Sequence, residues 1–156
     1  MFELTIASRL AAPAQTVWAH ATSMAGVNRE LRPLARMTHP RAMSSFDAGR
    51  IVLGERVFRS WILFLGILPV DFDDLTFVAI EPGRRFLERS PMLSQRLWEH
   101  ERRIEPVAGG CVIEDRVHFT PRVAALGRVQ LPIFRFAFRL RHRNLRRLFG
   151  TLDARS

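Results

Sequence analysis

The chain has no lysine: all 24 of its basic residues are arginine. A GC-rich coding sequence gives that bias, and no function follows from it. The single cysteine, Cys111, excludes an internal disulfide and a cysteine-rich zinc site and is compatible with a reducing compartment. No long hydrophobic run is present. The most apolar stretch, WILFLGILPV from Trp61 to Val70, has about half of the roughly 20 residues that a membrane-spanning helix needs. The opening MFELTIASRL lacks the basic region and apolar run of a secretory leader. A soluble, cytoplasmic protein is expected. Glycine-rich phosphate loops are missing too, since GRIVLG (Gly49 to Gly54) fits neither a dinucleotide nor a P-loop pattern. Ser60 and Ser90 lack the G-x-S-x-G setting of a hydrolase nucleophile. No cofactor is implied.

What is present points to a folded globular chain. Hydrophobic residues make up 47% of its 156 positions, enough to bury a core in one domain spanning residues 1–156. The net charge of +9 is unevenly spread. Residues 1–120 hold 15 Arg against 14 acidic residues, whereas residues 121–156 hold 9 Arg against one Asp. The basic character therefore belongs to the C-terminal segment.

Along the chain, FELTIASRL alternates as a strand does. APAQTVWAHAT and SMAGVNREL read as two short helices, the first opened by Pro13 and the second ended before Pro33. LARMTHP is a candidate short strand. Strand-like runs follow, separated by Gly66 and Pro69, by EPG, by Pro91 and by EPVAGG, which is the pattern of an antiparallel meander. From about 122 to 149 the period becomes helical, with Ile133, Phe134, Ala137, Phe138, Leu145, Leu148 and Phe149 near one stripe. The sum is an α+β chain: a curved antiparallel sheet of about seven strands wrapped around a long C-terminal helix, with two short helices after the first strand. Such curvature leaves a cavity between sheet and helix.

This order resembles the helix-grip fold of the START/SRPBCC superfamily, which includes pollen-allergen-type proteins, lipid-transfer START domains and aromatic polyketide cyclases. The local resemblance is to short bacterial members. It is carried by FLE (Phe86 to Glu88), WEHER (Trp98 to Arg102), GCVIEDRV (Gly110 to Val117) and TPRVAALG (Thr120 to Gly127). The resemblance covers nearly the whole chain. It implies a hydrophobic ligand cavity, and it leaves carrier, sensor and enzyme open, because fold does not select function.

The stretch LWEHERRIEPVAGGCVIEDRVHF carries the most specific signal. With a turn at Pro106 to Gly109 and Glu105 opposite Gly110, His100 faces Asp115 and Arg102 faces Ile113. One face then holds Trp98, His100, Arg102, Ile104, Cys111, Ile113, Asp115 and Val117, and the other is almost wholly charged. The charged face must meet solvent, so the first points inward. His100, Arg102 and Asp115 are thereby buried together, and Glu88 joins them if Phe86 points in. Buried charges need partners. The set can be a closed structural network, or a polar spot that orients a ligand's carboxylate, hydroxyl or carbonyl. It can also be an acid–base pair built from His100 with Asp115 or Glu88.

The expected ligand-contacting residues are Trp61, Phe86, Glu88, Trp98, His100, Arg102, Asp115, Phe134 and Phe138, around a lipid, polyketide or quinone-like molecule. The enzyme reading, a cyclase or dehydratase, would use His100, Asp115 and Glu88. VDFDD (Val70 to Asp74) reads as exposed acids at the start of a strand rather than a metal site. His20, His39, His118 and His142 have no ligand spacing and are expected at surface or edge positions. Both faces of VFRSWILFL are apolar, which suggests a covered strand and, in its simplest form, a homodimer. The Arg-rich helix could meet an anionic membrane surface through Arg143, Arg146 and Arg147. Its aromatic residues point inward, which disfavours nucleic acid.

Overall fold

The computed structural model describes residues 1–46 and 49–153. Its strands are β1 (Phe2–Leu10), β2 (Ala35–Met37), β3 (Arg56–Phe64), β4 (Leu68–Glu81), β5 (Arg85–Ser90), β6 (Gln95–Val107) and β7 (Gly110–Pro121). The helices are α1 (Ala14–Ala21), α2 (Met24–Leu31) and α3 (Gly127–Phe149). All strand pairs are antiparallel, and the sheet order is β1-β7-β6-β5-β4-β3-β2. The two short helices after β1, the meander and the terminal helix packed on the sheet are the helix-grip arrangement expected from the sequence.

Period-2 alternation builds the concave face. Phe86, Glu88 and Ser90 of β5, Trp98, His100, Arg102 and Ile104 of β6, and Cys111, Ile113, Asp115, Val117 and Phe119 of β7 are all buried. Their neighbours in sequence, such as Glu99, Glu101, Arg103 and Glu114, form the outer face, where Arg85–Glu101 and Arg89–Glu99 pair across strands. Helix α2 begins at Ser23, whose hydroxyl accepts the backbone N–H of Gly26. Asn144 of α3 donates to the carbonyls of Glu30 and Arg32, which ties the end of α2 to α3.

The β6–β7 register differs from the sequence reading by two residues. Val107 pairs with Gly110, so the turn is only Ala108–Gly109, with Gly109 at φ 82°. A two-residue connection that accommodates a positive φ at glycine is tighter than the four-residue one expected. Arg102 therefore lies opposite Asp115, and His100 opposite Val117. A shift of two preserves every face assignment, because the side-chain period is two.

Helix α3 starts later than expected. A short 3-10 turn, Ala124–Leu126, precedes it. Gly127 lets the Phe2 ring pack against the start of this helix, since a Cβ there would fall 2.1 Å from Phe2 Cε2 and displace the ring. The inward stripe also differs. Phe134, Phe138 and Leu145 pack inward as expected, but Ile133 is 55% exposed and Leu148 39%. Two polar residues, Arg141 and His142, are buried on this helix instead. The apolar excess of β3 and the turn after it lies on the outside of the single chain, where Trp61, Phe64, Leu65, Ile67 and Leu68 are all exposed.

Leu145 has no solvent exposure and packs in the cluster with Leu10, Val17, Ile104 and Ile113. Leu145→Ala should therefore lower unfolding free energy by about 2–5 kcal/mol in a urea titration. Phe136→Ala, on the exposed side of the same helix, should change it by less than about 1 kcal/mol. Equal effects would contradict this packing.

Candidate functional site

At the centre of the structure is a buried ionic network, built by six elements. Arg102 of β6 is fully buried. Its Nε and Nη2 each donate to Asp115 of β7 at 2.7 Å, and its Nη1 and Nη2 donate to Glu30 of α2 at 3.1 and 2.8 Å. One guanidinium is thus shared by two carboxylates, each in a two-bond arrangement. Arg141 of α3 donates to Glu30 at 3.1 Å. His20 Nε2 of α1 lies 3.0 Å from Glu30 Oε2.

Asp115 also takes His100 Nε2 and His142 Nε2, both at 2.8 Å. His142 Nδ1 meets the Ser8 hydroxyl at 2.7 Å, and Arg146 donates to the same hydroxyl oxygen at 2.8 Å. The partners fix the His142 tautomer: Nε2–H donates to Asp115, so Nδ1 accepts from Ser8.

Burial alone would favour the protonated form of Glu30, but the Arg102 and Arg141 guanidiniums and the His20 contact outweigh it. They hold this carboxyl well below the usual range. The same opposition acts on Asp115, where the charge and hydrogen bonds of Arg102 and the contact with His100 win over burial. Burial works against the Arg102 cation, but Asp115 and Glu30 more than offset it and keep it charged. Two guanidiniums face two carboxylates, so the centre of the network is neutral without help from outside.

A cavity of about 390 Å³ lies beside this network, between the concave face and α3. Of the nine ligand-contacting residues expected from the sequence, Phe86, Glu88, Trp98, His100, Phe134 and Phe138 line it. Arg102 and Asp115 do not; both are fully enclosed behind His100, with each other and Glu30 as partners. Trp61 does not either. It stands on the opposite face of β3, 42% exposed, against the ring of Phe72. The mouth is marked by cavity-lining residues that remain exposed: Phe64, Val70 and Ile133.

The polar end of the cavity contains groups that the sequence reading placed elsewhere. Asp71 and Asp73 of β4 are buried and line it, in contrast to the exposed acids expected there. Only Asp74 of that group is on the outer face, paired with Arg59 at 2.7 Å. The cause is alternation: Leu75 and Phe77 point inward, so Asp73 and Asp71 do as well. Asp71 is satisfied by the Ser94 hydroxyl and by the backbone N–H groups of Phe72 and Ser94. Asp73 Oδ1 has no hydrogen-bond partner. Burial, and then the neighbouring Glu88 carboxylate, push the Asp73 carboxyl well above the ordinary range.

Glu88 receives the Ser90 hydroxyl at 2.9 Å, and His100 Nδ1 lies 3.7 Å from it. His100 is thus anchored to Asp115 through Nε2 and turns its other nitrogen toward Glu88, while its ring packs edge-on between Phe86 and Phe138. His142 and His20 are likewise not surface residues as expected; both are network members. Arg146 is committed to Ser8, which leaves Arg143 and Arg147 as the exposed members of the proposed basic trio. Among the described residues, no three His, Cys, Asp or Glu side chains are placed to hold a metal ion.

Removing Arg102 leaves two buried carboxylates facing each other, so Arg102→Met should cost about 3–5 kcal/mol at pH 7. The pH dependence has a definite sign. Glu30 and Asp115 are depressed in the folded state, so their stabilisation is present above the unfolded value of about 4 and is lost as pH falls further. Urea unfolding should show wild type weakening between about pH 5 and pH 3, and a smaller gap to Arg102→Met at the acid end. A gap that does not change with pH would contradict this assignment.

Structural comparison supports the fold and leaves the ligand open. Protein CV1439 from Chromobacterium violaceum superposes with a TM-score of 0.71 at 11% identity, covering 96% of this chain and 98% of its own. CalU16 from Micromonospora echinospora gives 0.53 at 16% identity, covering 96% and 69%. DynU16, a protein in the dynemicin biosynthetic locus, gives 0.59 at 14% identity; it covers 97% of this chain, which spans 50% of DynU16. At 11–16% identity these likenesses show the shared fold, a long C-terminal helix gripped by a curled antiparallel sheet. Among the described residues, no helix is long and apolar enough to cross a membrane. No functionally curated protein matches the sequence. A family model does match, over residues 8–149, and the chain accordingly belongs to the domain of unknown function DUF8410.

Proposed function

We propose that this helix-grip domain binds a small, largely apolar, ring-bearing molecule between its sheet and α3. The observation that carries the reading is the cavity itself. Its volume of about 390 Å³ lies at the lower end of the roughly 300–1,000 Å³ typical of small-molecule sites. Its walls are aromatic and aliphatic, with Met24, Leu31, Phe77, Phe86, Trp98 and Phe134 among them, and its polar groups gather around Asp73, Glu88 and His100. Apolar contact would supply affinity and the polar end would set orientation. The volume suits two or three fused or linked rings better than an extended lipid chain. Phe64, Val70 and Ile133 at the mouth provide an apolar route inward.

A binding role is favoured over catalysis. His100 is held in one orientation by Asp115 and could move a proton. The serine hydroxyl among the described cavity-lining residues, Ser94, is bonded to Asp71, Arg102 is enclosed, and Arg141 is bonded to Glu30, which leaves His100 without an activated nucleophile beside it.

The test uses Ala137, a cavity-lining residue of α3. Ala137→Trp directs an indole into open volume rather than packed core, so the fold should tolerate it. Wild type should bind the neutral fluorescent probe N-phenyl-1-naphthylamine saturably. The variant should bind it at least about tenfold more weakly, a loss of 1.4 kcal/mol or more, with little change in melting temperature. Undiminished binding by a folded Ala137→Trp, or no saturable binding by wild type, would overturn the proposal.

A further inference from the structure

We propose that the cavity selects a ligand bearing a protonated amine, which seats on the contacting carboxyl pair of Asp73 and Glu88. The inference deepens the binding function above and rests on it.

Asp73 is 3% exposed and Glu88 6%, and both line the cavity. Such carboxyls normally have all their acceptor positions filled. Asp71, two residues from Asp73, shows the satisfied form, with a hydroxyl and two backbone N–H donors. Asp73 Oδ1 has none. It is a buried acceptor at a ligand-sized space to which no protein group donates, so it suits a hydrogen-bond donor on a ligand.

The charges around the pair decide which donor fits best. Asp71 and Asp73 come from β4, Glu88 from β5, His100 from β6 and Arg141 from α3. Three of these five are acids. Of the two nearby guanidiniums, Arg102 is divided between Glu30 and Asp115, while Arg141 lines the cavity with its Nε donated to Glu30 and its guanidinium 5.1 Å from the Phe138 ring. His100 directs Nε2 to Asp115, and its Nδ1 is 3.7 Å from Glu88, beyond hydrogen-bond range. A chain with a net charge of +9 has thus placed an acid-rich spot in its apolar interior. A ligand carboxylate there would meet like charge in a medium of low dielectric. A neutral hydroxyl would fill the vacant acceptor without balancing charge. An ammonium group can do both, donating to Asp73 and Glu88 together with charge assistance.

The measurement is competition of three isosteric probes, 1-naphthylmethylamine, 1-naphthalenemethanol and 1-naphthoic acid, against bound N-phenyl-1-naphthylamine at pH 7. The amine should compete at least about tenfold better than the alcohol, and the acid worst, because a charge partner in a low-dielectric site outweighs a neutral hydrogen bond. In the Asp73→Asn, Glu88→Gln double variant the amine-to-alcohol ratio should fall to about one; should that variant fail to fold, Asp73→Asn alone should reduce the ratio. An amine that competes no better than the alcohol, an acid that competes best, or a ratio unchanged by the substitutions overturns the proposal and leaves the cavity reading intact. Failure of every probe, N-phenyl-1-naphthylamine included, overturns both.

Discussion

One guanidinium shared by two carboxylates organises this molecule. Arg102 joins β6 to β7 through Asp115 and the sheet to α2 through Glu30. The two carboxylates then recruit the rest: Arg141 and His142 from α3, His20 from α1, and Ser8 of β1 by way of His142. Every helix and both edges of the β1–β7–β6 segment meet in it. Burying these charges is costly on its own, and a hydrophobic replacement of the whole set could be as stable. What the network provides is placement. A helix gripped by a sheet through apolar contact alone can slide, whereas charge pairs at 2.7–3.1 Å hold it at one rotation.

That placement determines what remains available for function. Because Arg102, Asp115 and Glu30 satisfy one another, none of them is free to meet a ligand. The polar chemistry of the cavity passes to residues just outside the closed set. His100 is the hinge between the two: one nitrogen belongs to Asp115, and the other faces Glu88. Beyond Glu88 is Asp73, whose carboxyl has no cation of its own and an acceptor oxygen without a donor. A structural network that is complete stands beside a pair of acids that is not. The incomplete part is where a ligand's chemistry is expected to act.

Much of the arrangement was legible in the sequence. The alternation of WEHERRI against CVIEDRV was enough to bury His100, Arg102 and Asp115 together, since faces survive a two-residue error in register. The exact opposition did not follow from it, because the tightness of the Ala108–Gly109 turn depends on the twist of the finished sheet. Asp73 was readable but missed: it shares parity with Leu75 and Phe77, and the cluster of acids in VDFDD drew the reading toward solvent. His142 and Arg141 are harder. They lie three or four positions from Phe138 and Leu145, on the buried stripe, yet a buried Arg or His is expected only once its partner is known: for Arg141 that is Glu30, 111 residues away, and for His142 it is Asp115, 27 residues away. Trp61 shows the opposite failure. Both faces of β3 are apolar, so its pattern could not say which face met the cavity.

The central claim is that the network is electrostatically closed while the cavity acids are not. Carbon-13 NMR titration of the side-chain carboxyls tests it most directly. Glu30 and Asp115 should remain ionised well below the usual carboxylate range, while Asp73 should hold its proton well above the ordinary aspartate value of 3.8. An Asp73 that titrates at that ordinary value, or a Glu30 and Asp115 that protonate alongside the surface acids, would contradict the account.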